Sequence, residues 1–186
     1  MYAVDVGAAN RVFGDSLSLT SHAGTNGDAR GILSEWGAEA EVRADRAELT
    51  IQADKGSATG VWAQAGSTNT LVSPDLTVAV SGWGDSSALF AENSGSLNSI
   101  LGSELSITTT TVVNNWAYGL RAVDQGKNSL AAAAGKSLTG LISAESNYRA
   151  AAMHAAGEGE NHISAADLTL KGTADGRGLG MSAENR

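Results

Sequence analysis

The sequence predicts an all-β fold, a single-stranded parallel β-helix (β-solenoid) of about six coils with three strands in each coil of about 30 residues. Three observations predict it. A short strand-like segment recurs at a nearly constant interval, two further segments follow each copy, and apolar residues alternate with polar ones within the copies. Such alternation is typical of strands with one buried face. The Ala-rich stretches at 131–134 and 150–156 fall in line with strands of other repeats, so strand or turn is expected there as well.

The first segment of each repeat carries a leucine. It occurs in SLSLT, ELTIQ, DLTVA, ELSIT, SLTGL and DLTLK, and its copies are Leu17, Leu49, Leu76, Leu105, Leu138 and Leu168. A second column lies two residues further on and contains Leu19, Ile51, Val78, Ile107, Gly140 and Leu170. In coils stacked about 4.8 Å apart, both columns are expected to point inward and to bury each coil against its neighbours.

Two more segments complete the repeat. The second begins with a small residue, in GIL from Gly31, GVWA from Gly60, ALFA from Ala88, GLRA from Gly119, AAMHA from Ala151 and GLGM from Gly178. The third begins with Asn10, Asn69, Asn98, Asn128 or Asn161, and one repeat has Ala40 instead. Stacked amides form hydrogen bonds along a β-ladder, and Asn accepts left-handed turn geometry. Asn69, Asn98, Asn128 and Asn161 are therefore predicted to form a structural ladder.

The connections between segments favour a solenoid over a β-propeller. They are short, rich in Gly, Ser, Asn and Asp, and lack hairpin signals, whereas a propeller needs about four strands per blade. Residues 1–186 are therefore predicted to form a single β-solenoid segment with no second domain. The first and last repeats are partial and lack a polar capping unit, so we expect the segment to be excised from a longer chain.

Composition excludes several classes of function. The formal net charge of −8 opposes binding to nucleic acid or to an anionic membrane. Without cysteine, the chain has no disulfide framework, thiolate metal site or cysteine nucleophile. No apolar run approaches the ~20 residues of a membrane helix. The histidines lack metal-ligand spacing, and no Gly-x-Ser-x-Gly or phosphate loop occurs, so no cofactor and no catalytic residue are predicted.

The repeat resembles the passenger region of bacterial autotransporter adhesins. SPDLTV at 73–78, GVWA at 60–63, GSTNTL at 66–71 and AENSGSLNSI at 91–100 carry the resemblance. It implies a β-helix displayed outside the cell, on the bacterial surface, by a C-terminal membrane barrel. Right-handed coiling is implied by the family and also favoured by the general preference for right-handed crossovers. The chain shows no signal-peptide pattern and no barrel strands, so the extracellular location follows from the resemblance alone.

The resemblance implies adhesion or cell–cell self-association without catalysis. The expected partner is a host or bacterial surface glycan or protein, or another copy of the chain, with no membrane insertion by this segment. Two alternatives stay open from the residues: a polysaccharide-active enzyme on the same scaffold, and a purely structural stalk.

An aromatic edge is the first candidate contact surface. Trp83, Trp116 and Tyr148 lie between the first and second segments of three consecutive repeats, and Asn114 and Asn115 flank the middle one. Exposed rings stack on sugar faces or act as interface hot spots, and amides suit sugar hydroxyls. The alternative is that the rings fold over a corner and cover the edge of the core.

An acidic column is the weaker candidate. Glu48, Asp75 and Glu104 precede their leucine by one residue, so they are expected to form an outward row at one strand spacing. Carboxylates that close together resist joint ionisation or hold Ca²⁺. The alternative is that each is a solvated carboxylate at the start of a strand.

Overall fold

The computed structural model describes residues 1–25 and 27–184, which form two parallel sheets. The seven-stranded sheet contains, in order, β1 (Tyr2–Val4), β3 (Ala29–Glu35), β5 (Ala58–Gln64), β8 (Ser86–Glu92), β11 (Trp116–Val123), β14 (Arg149–Ala156) and β17 (Arg177–Glu184). The ten-stranded sheet contains β2 (Ala9–Ala23), β4 (Glu39–Ala53), β6 (Thr68–Val72), β7 (Asp75–Gly82), β9 (Leu97–Gly102), β10 (Glu104–Thr111), β12 (Lys127–Ala132), β13 (Thr139–Ser146), β15 (Glu160–Ser164) and β16 (Asp167–Ala174). Among the described residues, no helix long and apolar enough to cross a membrane is found.

Strand β4 organises the ten-stranded sheet into two arms. The first half of β4 pairs with β6, and β9, β12 and β15 continue that arm. The second half of β4 pairs with β7, and β10, β13 and β16 continue the other arm. Each middle coil thus supplies three strand segments, one to the seven-stranded sheet and one to each arm. Coils of about 29 residues stack in about six turns. The predicted β-solenoid is confirmed.

The core consists of aliphatic columns that run along the stack. Val78, Ile107 and Ile142 lie opposite one another on consecutive coils, and each has no exposed surface. Each is surrounded by copies of its own column above and below, so one coil buries the next. Full burial of such a side chain contributes about 1.5–3 kcal/mol.

The register of the second coil differs from the prediction by two residues. Leu49 lies opposite Val78, and Ala47 takes the place opposite Leu76. Leu17 lies opposite Ala47 and Leu19 opposite Leu49, so the first and third coils keep the predicted columns and the second coil alone is shifted. Strand β4 keeps the same offset of 29 residues from β6 and from β7, so no residue is added or lost at the corner, and the difference arises because Leu49 stands two positions later in its coil than Leu76 does.

The fifth coil shows a second slip of two residues. Gly140, not Leu138, lies opposite Leu105, and Leu138 is buried just ahead of β13. A Cβ at Gly140 would collide with the backbone carbonyl of Leu105, which is why glycine stands in the column. The connection at 133–138 is longer than the single residue that joins β9 to β10. A two-residue slip keeps every side chain on its own face, so alternation within one strand does not reveal it.

The asparagine side chains form hydrogen bonds from coil to coil. Asn69 Nδ2 donates to Asn98 Oδ1 (2.9 Å), Asn98 to Asn128 (2.9 Å) and Asn128 to Asn161 (2.8 Å). The Nδ2 groups of Asn98, Asn128 and Asn161 also donate to the backbone carbonyls of Phe90, Arg121 and His154, at 2.8, 2.8 and 2.7 Å. The amides of Asn69, Asn98 and Asn128 are fully buried. The ladder therefore joins the third segment of each coil to the second.

A column of small residues interrupts the alternation in the seven-stranded sheet. The pairing of β11 with its neighbours steps from Tyr118 to Leu120 and passes over Gly119. A Cβ at Gly119 would lie 2.5 Å from both the carbonyl oxygen of Ala152 and Cγ2 of Ile142. Because every strand passes over one residue at this place, Tyr118 and Arg121, three positions apart, both line the outer face.

Replacing the central ladder amide should destabilise the fold. Asn98→Ala removes three hydrogen bonds and leaves a buried donor and acceptor without partners, so we expect a loss of about 2–4 kcal/mol in unfolding free energy. Asn114→Ala, at an exposed turn residue, serves as the control and should change it by less than about 0.5 kcal/mol. Urea denaturation measures both, and equal stability of the two variants would contradict a structural role for the ladder.

Adding one methyl group in the small-residue column should also destabilise the fold, by about 1–3 kcal/mol for Gly119→Ala. Gly180→Ala is the matched control, because its nearest atom, the carbonyl oxygen of Leu170, is 3.7 Å from an added Cβ. The midpoint of thermal unfolding should fall for Gly119→Ala and stay near the original value for Gly180→Ala. A similar midpoint for both variants would argue against tight packing at Gly119.

Candidate binding groove

The outer face of the seven-stranded sheet carries large π-bearing side chains at one position of each coil. Trp62, Phe90, Arg121 and His154 lie opposite one another on β5, β8, β11 and β14. The preceding residues point into the core, as the fully buried Val61 does, so these four side chains point outward. The strand spacing of about 4.8 Å brings consecutive members within stacking distance.

Three of these side chains, those of Trp62, Phe90 and Arg121, form a continuous stack with their neighbours, which we call the aromatic–arginine row. Its members, in the order in which they contact one another, are Arg30, Trp62, Phe90, Arg121, Tyr118, Trp116, Arg149 and Tyr148. The rings of Trp62 and Phe90 stack at 5.3 Å between centroids, and those of Trp116 and Tyr118 at 5.4 Å. The guanidinium of Arg121 lies 4.7 Å from the Phe90 ring centroid and 4.8 Å from that of Tyr118.

Arginines also border the ring pairs at both ends of the row. Arg30 lies 4.9 Å from the Trp62 ring, and Arg149 lies 5.0 Å from Trp116 and 4.9 Å from Tyr148. Cation–π contacts contribute about 0.5–2 kcal/mol each. Long side chains that would otherwise be mobile are thereby held in fixed positions.

Two cavities follow the row and form a groove. One of about 320 Å³ is lined by Asp85, Glu92, Tyr118, Arg121, Asp124 and Glu184, among others. The other, of about 190 Å³, lies between Asp28, Arg30, Trp62, Asp85, Phe90 and Arg121. Asp85 and Arg121 line both cavities, so the groove continues from one to the other. Carboxylates therefore face guanidinium groups across a surface rich in rings.

Burial changes the protonation of two groups in the groove. It raises the pKa of the Tyr118 hydroxyl to about 12, with Arg121 partly opposing the shift. It also raises the pKa of the Glu92 carboxyl; Arg121 lowers that pKa again, and Asp124 adds a smaller raising effect. Tyr118 is consequently a neutral hydrogen-bonding group over the physiological pH range.

The predicted aromatic edge is only partly assembled. Trp116 and Tyr148 belong to the row and are bridged by Arg149. Trp83 is exposed at the turn before β8, and within the described chain its ring contacts no other ring of the row. Asn115 Nδ2 donates to the Trp83 carbonyl (2.8 Å), which joins two turns, whereas Asn114 is exposed.

The acidic column does not form as a row. Asp75 lies opposite Glu104, but the residue opposite Asp75 on the other side is Arg46, and Glu48 lies opposite Thr77. Nε of Arg46 is 3.6 Å from Oδ2 of Asp75. The two-residue slip of β4 causes this difference. Across the described residues, no cluster of three or more His, Asp or Glu side chains suits a metal ion.

The sequence interpretation missed most of the row. Trp62, Phe90, Arg121 and His154 occupy the same place in GVWA, ALFA, GLRA and AMHA, which is the one signal that could have identified them. Because three of these side chains are not tryptophan or tyrosine, a search for exposed rings alone does not find the column.

Alkaline pH should test the environment of Tyr118. Its hydroxyl keeps its proton in the folded state above the ordinary pKa of 10, whereas the unfolded chain loses it, so stability falls as pH rises from 10 towards 12. Between pH 9 and 11, the unfolding free energy should fall by about 1 kcal/mol more for the original chain than for Tyr118→Phe. Urea titrations at both pH values measure the difference, and an equal fall in both proteins would contradict a buried neutral hydroxyl.

Comparison of the chain with models of protein families, with curated protein sequences and with solved structures found no match. The architecture therefore stands on the pairing and burial of this chain's own residues. Its function has to be argued from the groove.

Proposed function

We propose that this chain is a non-enzymatic adhesive segment of the autotransporter passenger type, which binds a surface glycan or protein through the aromatic–arginine row. One observation carries the proposal: seven side chains from five consecutive strands of one sheet, with Tyr148 just ahead of the last of these strands, form a continuous stack beside two connected cavities. Tyr, Trp and Arg are the residues most enriched at binding hot spots.

The rigidity of the row favours a binding role. Each guanidinium is held against at least one ring, and the β-strands beneath are fixed by ladder hydrogen bonds, so little side-chain freedom remains to be lost on binding. Pre-organisation of this kind reduces the entropic cost of association. Repetition along the solenoid adds avidity when the partner is itself repetitive.

The proposal places the chain outside the cell on a bacterial surface, as expected for autotransporter passengers. A surface glycan or protein is the partner, and a second copy of the chain is the partner in self-association. A stalk without a ligand would need no continuous arrangement of rings and guanidinium groups along one face, and the row is the reason that we favour adhesion over that alternative.

A polysaccharide-active enzyme is the second candidate, and one feature favours it. Glu92 lines the groove with a pKa raised by burial, and Asp124 lines the same cavity. A carboxyl with a raised pKa beside a second carboxyl is the pattern of a general acid with its partner. The test is an assay for the release of reducing ends from a polysaccharide. If the original chain releases them and Glu92→Gln does not, the function is catalysis and not adhesion.

A pair of matched double variants tests the adhesive surface. Tyr148→Ala/Arg149→Gln removes one ring and one cation from the end of the row, and Trp36→Ala/Arg43→Gln removes the same groups from an exposed turn and from the ten-stranded sheet. Binding of the labelled chain to bacterial and host cells should weaken at least about tenfold for the first variant, by loss of hot-spot contacts, and stay unchanged for the second.

The same experiment separates the alternatives. Equal binding by both variants would show that the adhesive surface lies elsewhere on the solenoid. If the original chain does not bind cells, the structural stalk is the interpretation that remains. A measurement of native mass across a concentration series tests self-association. The row variant should lose any concentration-dependent dimer that the control variant retains.

A further inference from the structure

The larger cavity of the groove is lined by more carboxylates than cations. Asp85, Glu92, Asp124 and Glu184 line it, and Arg121 supplies the single guanidinium among its described lining residues. Within the described chain, none of the four carboxylates lies within ion-pair distance of a basic group. Carboxylates in a concave wall concentrate their field and attract cations. The cavity therefore suits a positively charged ligand.

A buried hydroxyl group points to a ligand independently of these charges. Tyr118 lines the same cavity and is only 4% exposed, and its hydroxyl forms no hydrogen bond with the described part of the chain. The ring is held in place by Trp116 on one side and Arg121 on the other. Buried polar groups in native proteins nearly always have a hydrogen-bond partner. A ligand that enters the cavity would supply this partner.

The carboxylates are too dispersed to hold a single metal ion. Among the described residues, no group of three or more acidic or histidine side chains suits a metal. Asp85 precedes β8 and Glu92 ends it, so about 23 Å of extended chain separates them. Glu184 ends β17, which is three strand spacings, about 14 Å, from β8. A ligand with several cationic groups along its length can meet carboxylates at such separations.

The smaller cavity continues the groove with partners for sugar hydroxyls. Ser57, Thr59 and Ser87 line it and supply hydroxyl groups, and Asp85 lines both cavities. Hydroxyl groups and carboxylate oxygens are suitable hydrogen-bond partners for the hydroxyls of a sugar. A sugar polymer that follows the groove thus meets carboxylates in one cavity and hydroxyl groups in the other.

We propose that the groove binds a polysaccharide whose amino sugars carry protonated amino groups, with the ammonium groups near the four carboxylates and a sugar hydroxyl at Tyr118. The proposal rests on the proposed adhesive function and names its ligand class. The net charge of −8 also attracts such a polymer to the chain. A basic peptide offers similar charges without the sugar hydroxyls, so the experiment includes one.

Binding to a chitosan oligosaccharide tests this inference, because the N-acetylated form has the same backbone without the positive charges. Immobilised oligosaccharide and purified chain give dissociation constants by biolayer interferometry, at a pH at which the amino groups are protonated. The chitosan oligosaccharide should bind, and its N-acetylated form should bind at least about tenfold more weakly. Polylysine represents a basic peptide and should also bind at least about tenfold more weakly.

Matched variants separate the cavity from the overall charge. Glu92→Gln/Asp124→Asn removes two carboxylates from the cavity, and Asp45→Asn/Glu145→Gln removes two exposed carboxylates from the ten-stranded sheet. Both variants have the same net charge, but only the first should weaken binding of the chitosan oligosaccharide, by about tenfold. Tyr118→Phe keeps the ring and removes the hydroxyl, and we expect about fivefold weaker binding. Thermal unfolding of each variant shows whether the fold is retained.

The results separate this ligand from the alternatives. Equal affinity for the N-acetylated form, or equal weakening in the cavity variant and its control, would overturn the ammonium contact, and full binding by Tyr118→Phe would overturn the hydroxyl contact. Polylysine that binds as tightly as the oligosaccharide would overturn the sugar ligand. If the chitosan oligosaccharide does not bind while cell adhesion still depends on Tyr148 and Arg149, the ligand class is wrong and the adhesive function stands. If cell adhesion is absent as well, both proposals fail.

Discussion

The rest of this structure depends on one constraint, the stacking of equivalent residues at one strand spacing. The asparagine ladder imposes the strictest requirement, because each buried amide needs a partner on both neighbouring coils. Asn98 has to meet Asn69 on one side and Asn128 on the other, while its amide also reaches the carbonyl of Phe90. A buried amide without these partners would be costly. Coils of unequal length must therefore absorb their extra residues in the connections, as at 133–138, between the two arms of the ten-stranded sheet, and at 112–115, between β10 and β11.

The ladder also determines where the outer surface lies. Its amides bind the backbone carbonyls of Phe90, Arg121 and His154, which are the outward column of the neighbouring strands. An interior hydrogen-bond network thus holds the backbone at two members of the aromatic–arginine row, Phe90 and Arg121. The centroid distance of 5.3 Å between Trp62 and Phe90 is close to the strand spacing of about 4.8 Å, so the backbone repeat itself brings the rings into stacking contact.

The aromatic–arginine row places cations on the surface of a chain whose net charge is negative. The chain is acidic overall, with a net charge of −8, yet the row contains the guanidinium groups of Arg30, Arg121 and Arg149. Rings on either side of Arg121 keep that cation in place without a carboxylate partner. A stacked guanidinium contacts rings through its faces, and hydrogen bonds use its in-plane N–H groups. The ring contacts of Arg121 therefore account for a cation on this face without an ion pair, and they support the proposed binding role of the row.

The repeat by itself determined the class of fold, the inward aliphatic columns and the asparagine positions, because each depends on residue identity at a fixed interval. Tertiary structure alone decided the register of the second and fifth coils. A slip of two residues preserves the buried face, so Leu49 and Leu138 satisfy the alternation equally well in either register. It also decided that Tyr118 and Arg121 share one face: an odd separation predicts opposite faces, but the strands of this sheet pass over one position in each coil, at Gly119 and at Ala88 and Ala152 beside it. The groove depends on that irregular position, which alternation alone does not reveal.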